Sequence, residues 1–407
     1  MARAIFLPSH VGLGHVARDV VIAGLLRGQA GVRVEWCTAE PALGFLERLG
    51  EPIAPGCRGL ESFSTAIEDL YNGRVRGLRD LASRLSILKR NREIVEGVIE
   101  GYDLVFADEF WELVYSTPDS VRSGIVFATD ILYKPYSLNP RELVVSFALN
   151  RYFKRVLPRY RALIYLNDPG ILGSARWYPL LGGRVSEWLE RHAYIAGLAT
   201  SYPPGGLPPR SEARERLGLG EGEHLVVATV GGTSAASASL LDCIEEAAPA
   251  LERAVGEALG GRVRILALPG PRTRWEPRRG LVEVPRDPAP AGLLDYYAAA
   301  DLFISRSGRT TTADLLCAGI PAVLIPIPGH FEQEEIARHM SRAYGYPHLR
   351  EGECTPGRLA SASRAALERR PNPPRGLCLG APRAAGLLSK LLGSPGLGSP
   401  NDGGGHE

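Results

Sequence analysis

The chain has 407 residues, more than one hydrophobic core usually supports, so two domains are expected. Its composition, 45% hydrophobic and 23% charged, is typical of a folded globular protein and excludes general disorder. The formal net charge of +2 excludes an overall attraction to nucleic acid or to anionic membranes, so any basic surface must be local.

The first half of the chain alternates short apolar runs with helical patterns, which predicts a doubly wound parallel sheet. The predicted strands are 4–7, 32–37, 104–107, 124–128, 163–166 and 194–196. The predicted helices are 17–29, 41–49, a longer one around 78–100, and 139–160.

The segment "SYPPGGLPPR" (201–210) then interrupts the pattern, because its prolines and glycines disfavour helix and strand alike. After it the alternation restarts, with strands at 225–230, 263–268, 281–284, 302–305 and 322–326, and helices at 240–259, 293–299, 310–318 and 333–342. The predicted organisation is an N-terminal domain (1–200), a linker (201–211), a second doubly wound domain (212–393) and a disordered tail (394–407).

The six cysteines form no C-x-x-C pair and have no histidine at metal-ligand spacing. They are therefore expected to be reduced and metal-free, as in a cytoplasmic protein. The first apolar run is too short for a signal peptide, and no stretch approaches a membrane span, which also favours the cytoplasm.

Three glycine-rich turns follow predicted strands, at the positions where parallel sheets expose helix N-termini to anions. They are "GLGH" with Gly12, Gly14 and His15; "GGTSA" with Gly231, Gly232 and Thr233; and "SRSGRTTTAD" at 305–314. The third turn offers hydroxyl groups, including those of Ser307, and the charges of Arg306 and Arg309 at a helix start. That chemistry suits a diphosphate.

The segment 298–340, "AAADLFISRSGRTTTADLLCAGIPAVLIPIPGHFEQEEIARHM", resembles the donor-binding segment of GT-B glycosyltransferases. The similarity is to the peptidoglycan N-acetylglucosaminyltransferase and the UDP-glycosyltransferase group. It implies an α/β fold of the GT-B type, in which two Rossmann-like parallel-sheet domains face a cleft.

The resemblance also implies the donor-binding residues. It implies that Arg306, Gly308, Thr310 and Thr311 hold the diphosphate. Asp314 would hold the ribose, although the family usually has Glu there. Glu332 and Gln333 match the pair that grips the donor sugar. Val284 and Pro285 fall where the family covers the nucleobase, which implies uracil and a UDP-sugar donor.

In this family the histidine of the first glycine-rich turn is the general base on the acceptor hydroxyl, and His15 matches it. A neutral imidazole can take the proton, and a nearby carboxylate would fix its tautomer. Asp108 of "DLVFADEF" matches that carboxylate, with Glu109 as a rival. The predicted reaction is an inverting sugar transfer without metal or other cofactor, since no D-x-D cluster is present.

Other functions remain open. "GHVAR" departs from the "GHxxP" of many UDP-glycosyltransferases, and through Arg18 it is similar to the nucleotide-sugar hydrolase of pseudaminic acid synthesis. A non-catalytic nucleotide-sugar-binding protein is a second alternative, disfavoured by the intact His15 and Asp108. A sugar epimerase shares the architecture but usually has more carboxylates.

The acceptor cannot be read from the sequence. The segment 72–93 has an amphipathic helix pattern with a basic face, which favours either a solvated domain helix or contact with anionic lipid that carries a lipid-linked acceptor. The expected partners are thus a nucleotide-sugar donor and an acceptor, with no nucleic acid.

Overall fold

A computed structural model describes residues 1–62, 78–114, 117–136, 140–178, 182–231, 237–270, 273, 275–285 and 293–393, with the side chains of 78–85, 141–142 and 237 left aside. Gly232, Thr233, the first residues of the amphipathic segment (72–77) and the predicted disordered tail lie outside these residues.

Eleven strands are present among the described residues: β1 Arg3–Pro8, β2 Arg33–Trp36, β3 Leu104–Asp108, β4 Ile125–Thr129, β5 Ala162–Tyr165, β6 Tyr194–Ile195, β7 Glu223–Thr229, β8 Arg262–Leu268, β9 Val282–Glu283, β10 Leu302–Ser305 and β11 Ala322–Leu324. The α-helices of the same residues are α1 Gly14–Ala30, α2 Ala42–Arg48, α3 Leu78–Ile99, α4 Asp119–Arg122, α5 Pro140–Val156, α6 Val185–His192, α7 Arg210–Arg216, α8 Ser237–Leu259, α9 Leu294–Ala299, α10 Arg309–Cys317, α11 Phe331–Tyr344, α12 Pro356–Glu368 and α13 Gly380–Gly393.

The strands form two parallel sheets, as the alternating sequence pattern predicts. The six-stranded sheet has the order β2-β1-β3-β4-β5-β6, and the five-stranded sheet has the order β11-β10-β7-β8-β9. Each sheet is buried on both faces by helices, which explains why its strands are continuous apolar runs rather than alternating ones. The predicted pair of doubly wound domains is confirmed.

The C-terminal helix departs from the predicted domain boundary. Although the sequence places 380–393 in the second domain, α13 packs against α1 and buries Ala384 and Leu388 in the core of the first sheet. The chain crosses back just before this helix, where Gly380 N–H donates to the Leu198 carbonyl at 2.9 Å. Small residues on one face of α13 allow this close packing. The hydrophobic pattern predicts that this face is buried, but it does not indicate which domain buries it.

The cysteines also differ from expectation. All six are paired, as Cys37–Cys57, Cys243–Cys354 and Cys317–Cys378. Partners 20, 111 and 61 residues apart are brought together by the tertiary fold, so short-range spacing could not reveal them. The prediction of reduced cysteines is therefore wrong for this structure.

The basic amphipathic segment forms part of α3. Leu88 of the segment, and Val95 two residues beyond it in the same helix, are buried in the core of the first domain. Lys89 and Arg90 lie in ion pairs with Glu93 and Glu61. In the described part of this helix, the apolar face is therefore used for packing. No helix among the described residues is both long and apolar enough to cross a membrane.

Candidate active site

The topology predicts where a ligand binds. The direction in which successive strands are added to the sheet reverses between β1 and β3 in the first sheet and between β7 and β10 in the second, and open parallel sheets bind ligands beyond the strand ends at such points. His15 follows β1 and Asp108 ends β3. Gly231 and Arg309 follow β7 and β10. The turns that follow these strands therefore lie at the cleft between the domains.

A cavity fills this cleft, and both domains line it. Its residues from the first domain are Ser9, Val11, Gly12, Leu13, Gly14, His15, Glu109, Trp111, Asp130 and Ile131. Its residues from the second domain are Val230, Gly231, Arg306, Gly308, Arg309, Thr310, Thr311, His330, Phe331, Glu332 and Gln333. Most of the residues that the sequence singles out thus lie around one space.

His15, at the start of α1, and Asp108, at the end of β3, lie side by side in the first domain. His15 Nδ1 is 3.3 Å from Asp108 Oδ2, and the imidazole is largely buried. Burial is the largest single effect and lowers the pKa of His15, but the charges and the hydrogen bond of the neighbouring carboxylates, Asp108 foremost, together outweigh it and raise the pKa above 6.5. The geometry suits a histidine whose charged form is stabilised by a carboxylate.

Arg18, one turn along α1 from His15, holds two buried carboxylates. Its Nε and Nη2 donate to the two oxygens of Asp108, each at 2.7 Å, and its Nη1 donates to Asp130. Burial raises the pKa of Asp108, but the charges and hydrogen bonds of Arg18 and His15 lower it by more, to about 2. Asp108 is therefore ionised throughout the range in which His15 titrates.

The tautomer of His15 depends on two competing neighbours. Arg18 Nη2 lies 2.9 Å from Nδ1, so an unprotonated Nδ1 accepts a hydrogen bond from Arg18. A protonated Nδ1 instead donates to Asp108, and the neutral ring then carries no proton on Nε2. Only this second state leaves Nε2 able to act as a base.

Glu109 occupies a strained position beside the histidine. Its φ of 48° is the one positive value at a non-glycine residue in the described chain. Its Oε1 accepts hydrogen bonds from Thr129 Oγ1 and the Asp130 and Ile131 N–H groups, and its Oε2 lies 3.8 Å from His15 Nε2. Burial and the Asp130 charge raise the pKa of Glu109 to about 8, so its carboxyl is protonated at neutral pH.

Two helix N-termini meet across the cleft. Neither Leu13, which caps α1, nor Gly308, which caps α10, has a side-chain capping hydrogen bond. A Cβ atom on Gly14 would lie 2.6 Å from Thr310 Oγ1, so the two helices approach closely only because residue 14 is glycine. Exposed N–H groups and two positive dipole ends therefore face the same space, which suits an anion.

Arg306 is used mainly within the second domain. Its side chain is 3% exposed, forms an ion pair with Glu351 at 2.6 Å and donates to the carbonyls of Ile325 and Pro326. Ser307 Oγ donates to the Gln333 carbonyl at 2.7 Å. These two side chains hold the turn and the start of α11. Arg306 also lines the cleft cavity, so its contact with a diphosphate stays a prediction.

Asp314 has a partner other than a ribose. Its carboxylate accepts hydrogen bonds from Ser201 N and Ser201 Oγ at 2.8 and 2.7 Å, is 1% exposed and does not line the cleft. The proline-rich segment that starts at Ser201 is thereby tied to α10. Val284 packs against the core of the second sheet and does not line the cleft cavity either.

The sequence assigned no role to the cleft residues Asp130 and His330, and it named Arg309 only as part of the charge of the third glycine-rich turn. Arg309 reaches across the cleft to Asp130, with Nε 3.4 Å from Oδ2, and donates to Glu332 Oε1 at 3.3 Å. His330 caps α11 by accepting from Gln333 N–H. Arg309 stood inside the quoted turn, but Asp130 follows β4 with no motif around it, so only the fold could place it there.

A second cavity opens from the first, sharing Asp130, Ile131, Arg309, Phe331 and Glu332. The rest of its lining is mainly apolar and aromatic, including Leu132, Tyr133, Tyr136, Ile171, Leu172 and Ile336. The described residues include no group of three or more His, Cys, Asp or Glu side chains arranged to hold a metal ion.

Comparison with known proteins agrees with this geometry. Residues 226–375 match the model of the glycosyltransferase family 28 C-terminal domain. The UDP-N-acetylglucosamine–N-acetylmuramyl-(pentapeptide) pyrophosphoryl-undecaprenol N-acetylglucosamine transferase of Acidothermus cellulolyticus is 30% identical over 220 residues, which cover 48% of this chain and 57% of that protein. The enzyme of the same name from Streptomyces collinus is 32% identical over 220 residues, covering 49% of this chain and 58% of that protein. The chain thus spans little more than half the length of these relatives.

Solved structures extend the similarity to both domains. Acinetobacter baumannii MurG superposes with a TM-score of 0.51 at 15% identity, covering 96% of this chain and all of that one. The calicheamicin glycosyltransferase CalG4 gives 0.55 at 15% identity, covering 97% and 99%. The fold is therefore that of the GT-B glycosyltransferases. Within that class, residues 226–375 are similar to the family 28 C-terminal domain, and about half of the chain is similar to the peptidoglycan N-acetylglucosaminyltransferases.

Proposed function

We propose that the chain transfers a sugar from a nucleoside diphosphate sugar, a UDP-sugar in the first place, to an acceptor hydroxyl, with inversion and without a metal ion. The observation that carries this proposal is the position of His15. It starts α1 beside the ionised Asp108 and faces the uncapped N-terminus of α10 across the cleft. A base and an anion-binding helix end thus lie on opposite sides of one space.

In the proposed reaction, the acceptor oxygen attacks the anomeric carbon from the side opposite the diphosphate. One carbon–oxygen bond forms as the bond to the phosphate oxygen breaks, so the configuration inverts. His15 Nε2 takes the hydroxyl proton, and Asp108 stabilises the imidazolium. Helix N–H groups from α10 meet the charge that develops on the leaving diphosphate.

Glu332 and Gln333 are proposed to bind the donor sugar. Both line the cleft at the start of α11. Gln333 Oε1 accepts a hydrogen bond from Ile327 N–H at 3.0 Å, which fixes the side chain and leaves its NH₂ group to donate to a sugar hydroxyl. Glu332 is partly exposed in the cleft and can accept hydrogen bonds from two hydroxyls.

The acceptor is proposed to enter through the second cavity and to be linked to a lipid. The cavity has an apolar and aromatic part, and nearby α5 exposes Val144 and Phe147. Phe147 contacts Tyr178, whose neighbour Trp177 accepts a hydrogen bond from Tyr136 of the cavity wall. This apolar route suits a chain that leaves the cleft toward a membrane surface. The A. cellulolyticus relative is named for an undecaprenol-linked acceptor.

The test measures nucleoside diphosphate release from UDP-sugars and dTDP-sugars, with and without a lipid extract as the source of acceptors. We expect slow release alone and faster release with extract, because a cleft that excludes water protects the donor until an acceptor is bound. Full release with water alone would indicate a hydrolase, and none under both conditions a binding protein. The anomeric configuration of the product tests inversion, and activity retained with a chelator tests metal independence.

A further inference from the structure

Glu109 turns one carboxyl oxygen toward the cleft, while the other is held by the protein. The side chain is buried and lines the cleft cavity. Oε1 accepts hydrogen bonds from Thr129 Oγ1 and from the N–H groups of Asp130 and Ile131. Because these donors occupy Oε1, a proton on this carboxyl lies on Oε2. Oε2 is the oxygen that lies 3.8 Å from His15 Nε2.

The backbone holds this side chain against the histidine. Glu109 directly follows β3 with a φ of 48°, and its N–H donates to the Ala128 carbonyl of β4 at 3.0 Å. A left-handed conformation costs about 1 to 3 kcal/mol at a residue other than glycine, and such residues cluster at functional sites. The position of Glu109 is therefore maintained by its hydrogen bonds at a cost, which points to a role in the cleft.

The charges around Glu109 favour its neutral form. The ionisable side chains that face it are His15 of α1, Asp108 of β3, Asp130 after β4 and Arg309 of α10. Burial and the charge of Asp130 raise the pKa of Glu109 to about 8, although His15 opposes the shift. At neutral pH the Oε2 hydroxyl of Glu109 is therefore a hydrogen-bond donor.

Asp130 is a competing receiver of this hydrogen bond, since the two carboxyl groups lie within hydrogen-bonding range of each other. It does not take the proton itself. Although burial opposes the shift, Arg309 and Arg18 lower the pKa of Asp130 well below its usual range. Asp130 thus stays charged, and the proton stays on Glu109.

We propose that Glu109 selects the reactive tautomer of His15, by donating from Oε2 to the acceptor hydroxyl that in turn donates to His15 Nε2. Hydrogen bonds of about 2.8 Å from two atoms 3.8 Å apart meet in one position, so a single hydroxyl oxygen reaches both. In this chain Nε2 must accept, so the ring proton lies on Nδ1 and is donated to Asp108. The remaining lone pair of the hydroxyl is left for the anomeric carbon.

This role rests on the proposed sugar transfer and adds no bond change to it. The hydroxyl proton still passes to His15 Nε2, and Glu109 keeps its own proton throughout. An ionised Glu109 would instead accept, which favours a proton on Nε2 and removes the base. Transfer therefore needs His15 deprotonated and Glu109 protonated, so kcat should fall again as pH rises through about 8.

The experiment compares two variants of Glu109 with a matched control. Glu109→Gln keeps an acceptor in place of Oε1 and a donor in place of Oε2 but does not titrate, whereas Glu109→Ala removes both. Glu112→Gln is the control, because Glu112 is also a buried glutamate of the first domain, is hydrogen-bonded to Asn91 and lies outside the cleft lining. The measurements are kcat against pH and the ¹⁵N NMR shifts of the full-length, histidine-labelled chain. The His15 signals are those lost in His15→Ala.

We expect Glu109→Gln to keep kcat close to wild type at neutral pH and to lose the alkaline limb near pH 8. Glu109→Ala should lower kcat by roughly 10- to 100-fold, the weight of one hydrogen bond in a buried site, with UDP affinity unchanged. Glu112→Gln should retain the alkaline limb. The His15 shifts should report an unprotonated Nε2 in wild type at neutral pH, move toward a protonated Nε2 above about pH 8, and lose this second transition in Glu109→Gln.

The NMR measurement needs no acceptor, so it separates this inference from the proposed function. If no form transfers sugar but the His15 shifts follow Glu109 as expected, the transferase proposal fails and the tautomer selection stands. Two results would overturn the inference. One is an alkaline limb that persists in Glu109→Gln, and the other is a set of His15 shifts that is the same in wild type and both Glu109 variants. Either would mean that Glu109 only shares its proton with Asp130.

Discussion

The Arg18 guanidinium holds the Asp108 carboxylate at two points, with Nε and Nη2 each donating at 2.7 Å. The same guanidinium lies 2.9 Å from His15 Nδ1. Arg18 therefore acts on the histidine twice, by offsetting the charge of Asp108 and by repelling a proton on Nδ1. The basicity of His15 is the balance of these effects, with Asp108 prevailing.

Changing Arg18 or Asp108 should move the pH dependence of transfer in opposite directions. A base works only when deprotonated, so kcat/KM should fall as pH falls through the pKa of His15, which is raised above 6.5. Arg18→Met leaves Asp108 uncompensated and should shift this acid limb to higher pH, whereas Asp108→Asn should shift it lower. Removing one partner of a buried ion pair lowers the free energy of unfolding by about 3 to 5 kcal/mol. Arg18→Lys is therefore the control, because it keeps the positive charge. Identical acid limbs in all variants would contradict this account.

Replacing His15 should remove catalysis and spare donor binding. His15→Ala deletes the proposed base, and the usual weight of a general base predicts a drop in turnover of roughly 10²- to 10⁴-fold. UDP affinity should stay near wild type, because the helix N-termini and the second domain are intact. Initial rates and calorimetric titration of the same preparation measure both quantities. Turnover close to wild type would exclude His15 from the mechanism.

Replacing Gly14 by alanine should disturb the cleft, because Thr310 of the opposite helix lies directly against it. A Cβ at this position would lie 2.6 Å from Thr310 Oγ1, too close for any real contact, so Gly14→Ala must push the helix ends apart or rotate Thr310. We expect weaker UDP binding in Gly14→Ala. Gly24→Ala is the matched control, since a Cβ there meets nothing within 4 Å. Equal UDP affinity in both variants would show that the approach of the two helices does not affect the donor site.

The sequence predicted the architecture well because both sheets are parallel and fully buried, so each strand is a short apolar run between helical patterns. It also placed His15 and Asp108, since both follow directly from strand ends in recognisable turns. It failed where partners come from distant elements. All six cysteines were expected to be reduced, but Cys243, for example, pairs with Cys354, 111 residues further along the chain. No local pattern encodes such a contact.

The disulfides should contribute to stability in an order set by the loops they close. The Cys243–Cys354 pair is separated by 111 residues, for which the chain-entropy model gives about 4 to 5 kcal/mol, and Cys37–Cys57 by 20 residues, for which it gives about 3 kcal/mol. Replacing both cysteines of the longer loop by serine should therefore lower Tm more than the same change in the shorter one. Calorimetric scans with and without a thiol reductant measure this. A wild-type Tm that is insensitive to reductant would show that the bonds do not form.

Asp314 should affect stability rather than donor affinity. Burial raises the pKa of this carboxyl to about 7, although hydrogen bonds from Ser201 oppose the shift. A raised pKa in the folded state means that the stability contributed by the protonated group is complete below its unfolded value of 3.8 and is lost as pH rises through about 7. Asp314→Asn stays neutral and can still accept from Ser201 N–H, so its stability relative to wild type should increase from about pH 5 to about pH 8.

Denaturant unfolding at the two pH values measures this difference, and titration with UDP tests the ribose role that the resemblance implies. Because Asp314 lies outside the cleft lining and its carboxylate is occupied by Ser201, we expect UDP affinity to be unchanged in Asp314→Asn. Ser201→Ala removes one of the two hydrogen bonds without touching the second domain, and it should reproduce part of the stability change alone. Weaker UDP binding in Asp314→Asn, with wild-type affinity in Ser201→Ala, would instead mean that the carboxylate leaves Ser201 and holds the ribose when the donor binds.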